Sequence, residues 1–265
     1  MSEFEEISKH LEDLRGKIIK IVLVVGIISV FILTFHATPF EFNGITLYYP
    51  MPAPFDNMAA QLTESLKIEL IPEQVQLIQT APGQAFFSQL YISLLLGVVF
   101  GMPLIVKEAV GFLKPALEEK EIRVIRSITI PAIVLFAVGC LFSYILVIPY
   151  VLEFLYKYGE SSGLLTFLNI MDFVSFVLQF LLAFGISFQL PLIMYATTAS
   201  GATDAKFWRR NLRYAIVVII IFGAVITPDG SGVTMWFIAA PMIVLYLAGM
   251  FFVERKEKKI ATLKS

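Results

Sequence analysis

The sequence predicts an all-α polytopic membrane protein: six transmembrane helices in a curved bundle, with both the N and the C terminus cytoplasmic. Three observations predict it. Hydrophobic residues make up 58% of the 265 positions and charged residues only 15%, against about 45–50% and about 25% in ordinary soluble domains. That excess cannot be buried in one water-soluble core of this size. Six stretches are apolar enough and nearly long enough to cross a bilayer, which takes about 20 residues. All of the 20 Lys and Arg residues except Lys67 and Lys157 fall in segments on one side of those stretches, and an excess of basic residues marks the cytoplasmic side. An even number of spans agrees with two termini on that side.

The composition also excludes function classes. A net charge of −1 offers no basic field for nucleic acid. One cysteine excludes an intrachain disulfide framework and a multi-cysteine zinc site, and two histidines leave little for a metal centre. No cofactor is expected.

Residues 1–17 form a cytoplasmic amphipathic N-terminal segment. Ser2 and Glu5 fit a capping box, and Phe4, Ile7, Leu11 and Leu14 recur at helical spacing. Its polar side carries Glu5, Glu12 and Asp13. The transmembrane domain covers 18–253, and a basic cytoplasmic tail covers 254–265. The six spans are expected at about Ile18–Phe35, Phe86–Val106, Ser127–Leu155, Phe173–Thr198, Tyr214–Ile226 and Met235–Val253. The first apolar run has no small-residue cleavage site after it, so no cleavable signal peptide is expected and the chain belongs in a prokaryotic plasma membrane.

The extracytoplasmic loop 36–85 is too long for a bare connector and is expected to carry its own structure. Phe55–Leu70 reads as a short helix across the outer face. Prolines at Pro103, Pro131, Pro149, Pro191 and Pro241 lie inside spans, where each removes a backbone hydrogen bond and bends the helix. Span five is short, about 20 Å against a hydrocarbon core of about 30 Å. Either the bilayer thins around it, or Leu212 and Pro228 extend it. Cys140 reads as a small core residue.

Two glutamines, Gln179 and Gln189, lie in span four. A polar group at that depth either bonds a neighbouring helix or docks a partner helix with a polar residue of its own. Gly159–Gly163 spells G-x-S-x-G, but that motif needs a preceding strand, a following helix and a histidine base. Only His10 and His36 are available, so a hydrolase centred on Ser161 is disfavoured. There is no H-E-x-x-H, Walker A or G-x-G-x-x-G motif. Any transport must draw its energy from an ion gradient or a partner.

Four motifs then agree in order and topology: HLEDLR at His10–Arg15, GFLKPALEEKE at Gly111–Glu121, SFVLQFLLAFGISFQLP at Ser175–Pro191, and ITPDG at Ile226–Gly230. Over nearly the whole chain this resembles TatC, the multispanning subunit of the twin-arginine protein translocase. The resemblance implies six helices, cytoplasmic termini and a non-enzymatic role. It implies binding of twin-arginine signal peptides of folded cargo at the cytoplasmic face. It further implies partnership with single-span TatA, and in many organisms TatB, together with self-association and transport driven by the proton-motive force.

Residue by residue, the resemblance places the signal-peptide site on Glu121, Phe112, Asp13, Glu12, Arg15 and Pro103, and partner-helix docking on Gln189 and Tyr144. Asp13 stands where the family more often has Glu. Gln189 stands at the family's acidic position in span four, so it keeps a hydrogen-bonding role and no charge. The family's TPPD pattern is TPDG here, which shifts Asp229 or removes a proline. Carboxylates take the planar forks of two arginines in bidentate, charge-assisted pairs, and lysine matches them poorly. Glu121 and Asp13 are the two candidate partners, with Glu118, Glu119 and Glu12 nearby. The rival class is an ion-coupled secondary transporter of a small solute. That class often shows internal repeats and charged midplane sites, and this sequence has neither.

Overall fold

The computed structural model describes residues 3–42, 45–72, 75–113, 119–163, 166–199, 201, 203–227 and 232–264. Side chains are described for all of these except 3–7, 9–10, 42, 45, 109–113, 119–128 and 258–264. The chain forms two compact units, Met1–Glu108 with Leu152–Leu178, and Ala109–Val151 with Gln179–Ser265. Among the described residues five helical stretches are long and apolar enough to span a membrane: Leu11–Thr34, Gln84–Glu108, Thr129–Ser161, Ile170–Ala199 and Val233–Glu257. The shorter apolar helix Leu212–Ile226 is the sixth expected span.

In the first unit, α1 (Glu3–Thr34) joins the amphipathic N-terminal segment and the first span in one 32-residue helix. It contains no proline, so nothing interrupts its hydrogen-bond ladder. It packs on α3 (Gln84–Leu113) through small residues. Ser93, Gly97 and Gly101 recur at a spacing of four along one side of α3, which lets two backbones approach closely. A Cβ added at Gly97 would lie 2.5 Å from Ser29 Oγ and 2.8 Å from the Val25 carbonyl oxygen. The Ser29 hydroxyl lies 2.7 Å from its own helix's Val25 carbonyl and 3.0 Å from the Ser93 carbonyl of α3.

The segment between these helices is structured, as its length requires, but it is not only helical. β1 (Phe35–Phe42) and β2 (Ile45–Pro52) pair antiparallel, Phe35 opposite Pro52 and Phe42 opposite Ile45. Pro39, Pro50 and Pro52 are tolerated because both strands of a two-stranded ribbon are edges. α2 (Met58–Leu70) begins at Asn57, whose side chain accepts from Ala60 N at 2.9 Å. The same carboxamide donates to the Pro54 carbonyl and to Gln89 Oε1, each at 3.0 Å. This pins α2 to α3. β3 (Gln76–Ile78) pairs parallel with β4 (Phe167–Asn169).

In the second unit, α4 (Glu119–Phe142) runs into one π-helical turn, Ser143–Val147, and then α5 (Ile148–Ser161), whose residues from Leu152 on belong to the first unit. Pro149 explains the turn. Its ring would crowd the carbonyl four residues back, and the wider turn gives that carbonyl room. Span four is likewise two pieces, α6 (Ile170–Ser187), which belongs to the first unit up to Leu178, and α7 (Leu190–Ala199), broken just before Pro191. A short helix α8 (Ala205–Arg210), α9 (Leu212–Ile226) and α10 (Val233–Lys264) follow.

Glycine again decides how these helices meet. A Cβ on Gly139 would come 2.5 Å from the Phe184 carbonyl oxygen, and one on Gly185 would come 2.6 Å from the Phe136 ring. Each span therefore seats the other's phenylalanine against its own glycine. Gly249 of α10 admits Pro191 and Met194 of α7 in the same way, and Gly223 of α9 admits Met235 of α10.

Gly139→Val is expected to destabilise the second unit by about 1–3 kcal/mol through overpacking, read as a lower unfolding midpoint in detergent. Gly16→Ala, where nothing lies within 4 Å, is expected to leave the midpoint unchanged or slightly raised. Asn57→Ala removes a helix cap and a buried cross-link and is expected to cost about 1–2 kcal/mol in the same measurement.

Candidate functional site

Gln189 sits at the break between α6 and α7. Its own N–H bonds the Ile186 carbonyl at 2.9 Å, a tighter pattern than an α-helix makes, and its carbonyl accepts from Ile193 N at 2.9 Å. The side-chain amide donates to the Ala132 carbonyl of α4 at 3.2 Å and to the Gly185 carbonyl at 3.3 Å. The glutamine therefore stitches span four to span three. Both contacts need a donor, which a carboxylate lacks. Oε1 accepts no bond among the described residues.

Ser187 donates to the Ala183 carbonyl at 2.5 Å, and Cys140 Sγ lies 3.5 Å from the Leu181 carbonyl. Phe142 packs against Phe184 and Phe188 with centroids 5.6 and 5.5 Å apart. Tyr144, the other expected docking residue, lies in the π-turn. Ser143 Oγ in that turn, which the sequence did not single out, and Gln179 Oε1 in α6, which it did, are buried with no partner among the described residues. Pro149, six residues after Ser143, was the available signal for the turn.

The expected signal-peptide residues divide between the units. Asp13 forms an ion pair with Lys17 one turn on, and its side chain is 44% exposed. Glu12 and Arg15 are also exposed on α1. Pro103 lies inside α3 and is exposed. Glu108, which the motifs did not single out, sits near the same end of α3 at 4.0 Å from Lys20 of α1. Phe112 and Glu121 lie on α3 and α4 in the second unit, and their side chains fall outside the described ones. Asp229, Glu118 and the 228–231 segment lie outside the described residues.

The hydrolase arrangement is not assembled. A helix, not a strand, precedes Ser161, whose hydroxyl donates to the Tyr158 carbonyl at 2.8 Å. Both His36 ring nitrogens are engaged, Nδ1 with the Asp56 carbonyl at 2.7 Å and Nε2 with Gln61 at 3.1 Å.

The family model described as "Sec-independent protein translocase protein (TatC)" matches residues 9–241. This chain belongs to the TatC family. A TatC from Cenarchaeum symbiosum is 62% identical over 259 residues, covering 98% of each chain. One from Aquifex aeolicus is 30% identical over 260 residues, covering 96% of this chain and 98% of that one. A crystal structure of the twin-arginine translocase receptor TatC superposes with a TM-score of 0.74 at 28% identity, covering 92% of this chain and 98% of the other. The expected family, the helical polytopic fold and the role in protein translocation all hold.

Gln189→Leu is expected to lose one interhelical hydrogen bond, about 0.6 kcal/mol or somewhat more. Gln189→Glu at neutral pH is expected to cost more than Gln189→Leu, because a carboxylate would face two carbonyl oxygens. Unfolding midpoints of the two variants in one detergent check the order.

Proposed function

We propose that the chain is the receptor and core subunit of a twin-arginine translocase. It binds the Arg-Arg signal peptide of folded cargo at the cytoplasmic face of a prokaryotic plasma membrane. Glu121 and Asp13 each take one guanidinium, with Glu12, Arg15, Phe112 and Pro103 around them. Single-span subunits, TatA and where present TatB, dock at Gln189 and Tyr144, and the proton-motive force drives export. The observation that carries this reading is the family match across 9–241, together with the likeness to a structure titled a translocase receptor.

The chemistry of Asp13 suits the role. Its present partner is Lys17 of the same helix, a point charge on a flexible stem. An arginine replacing it gains a second parallel hydrogen bond without burying a new charge, since the side chain stays in contact with water. Lysine in the peptide would merely repeat what Lys17 already provides. The free Oε1 of Gln189 suits a polar donor on an incoming helix.

The test is binding of a fluorescent signal peptide to the detergent-purified protein. The Arg-Arg peptide is expected to bind about tenfold or more tightly than its Lys-Lys twin. Glu121→Ala and Asp13→Ala are each expected to erase most of that difference, with Glu121→Gln as the shape-conserving control. Equal binding of both peptides to the wild type would overturn the receptor reading. A preference surviving in Glu121→Ala would overturn the site assignment.

A further inference from the structure

We propose that the short basic helix before the fifth span holds the phosphate group of an anionic membrane lipid. The stretch Ala205–Arg213 reads AKFWRRNLR, with four cations, two aromatics and no acid. Two of the cations are already engaged. Arg209 pairs with Glu254 at 2.7 Å, and Arg213 bonds the Tyr214 hydroxyl at 3.0 Å with its guanidinium over that ring. Lys206 and Arg210 make no ion pair among the described residues. They stand one helical turn apart and line the same cleft of about 610 Å³, with Gly201, Thr203, Asp204 and Phe207.

The nearby carboxylates are spoken for. Asp204 caps α8 by accepting from Phe207 N at 2.7 Å. Glu257 accepts from Ala205 N at 2.9 Å, and Glu254 holds Arg209. Arg255 and Lys256 add positive charge at the same end of α10, stacked over Phe251 and Tyr195.

The cleft is also preorganised. Trp208 Nε1 lies 3.2 Å from both the Thr198 and the Thr203 hydroxyl oxygens, and the Tyr246 hydroxyl donates to the Trp208 carbonyl at 2.9 Å. These bonds seat α8 on α7 and α10, so the two free cations are presented from a fixed support. Depth then selects the ligand. α9 follows α8 after a single residue and has 15 residues, about 22 Å against a hydrocarbon core of about 30 Å. A span that short brings the headgroup layer to its ends, which is where Lys206 and Arg210 stand. Phe207, 37% exposed, gives the cleft an apolar lip for the glycerol and upper acyl chain. Basic pockets of this kind on the cytoplasmic side take anionic headgroups. The side assignment rests on the orientation in the proposed function, whereas the lipid preference can be measured without it.

The chain has two tryptophans, Trp208 and Trp236, so W236F leaves Trp208 as the only indole, beside the cleft. The W236F protein is reconstituted in phosphatidylcholine nanodiscs containing a little brominated phosphatidylglycerol, or the same fraction of brominated phosphatidylcholine. Quenching of Trp208 is expected to report a local preference for phosphatidylglycerol of about thirtyfold. The preference should fall to near one in K206Q/R210Q and persist in K206R/R210K. An unchanged unfolding midpoint and an unchanged Arg-Arg peptide affinity in K206Q/R210Q would separate this site from the peptide site. Equal quenching by both lipids, or a preference surviving in K206Q/R210Q, overturns the proposal. Loss of the preference on adding millimolar inorganic phosphate also overturns it, assigning the cleft to a soluble phosphate instead.

Discussion

In hydrocarbon an apolar side chain gains nothing by leaving lipid for protein, so transmembrane helices are held by short-range packing and by hydrogen bonds between them. In each unit of this chain the close approaches occur at glycine. Gly97 admits Ser29, Gly139 admits the Phe184 backbone, Gly185 admits the Phe136 ring, and Gly249 admits Pro191 and Met194. The interhelical hydrogen bonds sit beside these contacts. Ser29 reaches Ser93, and Gln189 reaches Ala132. Each depends on a backbone separation that a larger residue at the neighbouring glycine would forbid. The placement of Ser29 and of Gln189 follows from where the small residues lie.

The helices and their family were legible because their signals are long. Apolar runs survive any error of a few residues, and the four motifs fall at fixed places among them. The hairpin Phe35–Pro52 was not legible in the same way. Its strands hold Pro39, Pro50 and Pro52, which argue against a strand when each is weighed alone. The better signal was Asn43-Gly44 between two apolar runs, a dipeptide favoured in tight hairpins. The π-turn at Ser143–Val147 depends on how Pro149 meets its own helix, and the glycine contacts depend on which helices are neighbours. A linear reading gives neither. Of the site, the sequence named the residue types and their order along the chain. It did not give the pairing of Asp13 with Lys17 or the place of Glu108 beside Lys20, which depend on side-chain reach.

Gln189 illustrates how one substitution rewrites local chemistry. A carboxylate in that place would be an acceptor among acceptors. The amide offers two hydrogens, and the structure uses them on the Ala132 and Gly185 carbonyls. The break at Pro191 leaves span four in need of such a brace, because the ladder is interrupted where α6 passes into α7. Here the polar group closes a seam between spans and still presents one oxygen.

The continuity of α1 has a mechanical consequence. Its 32 residues form a rod of about 48 Å, and it leads without a linker into the hairpin, where Ala53 N bonds the Thr34 carbonyl at 2.9 Å. A straight helix resists both stretch and torsion. A twist applied near Asp13 is therefore passed along α1 toward the β1–β2 hairpin. Gly16 and Gly26 of this helix are uncrowded. Val25 and Ser29 are held closely against Gly97. The first helix is thus one continuous element held on α3 at two places along its length, Ser29 against Gly97 and Lys20 beside Glu108.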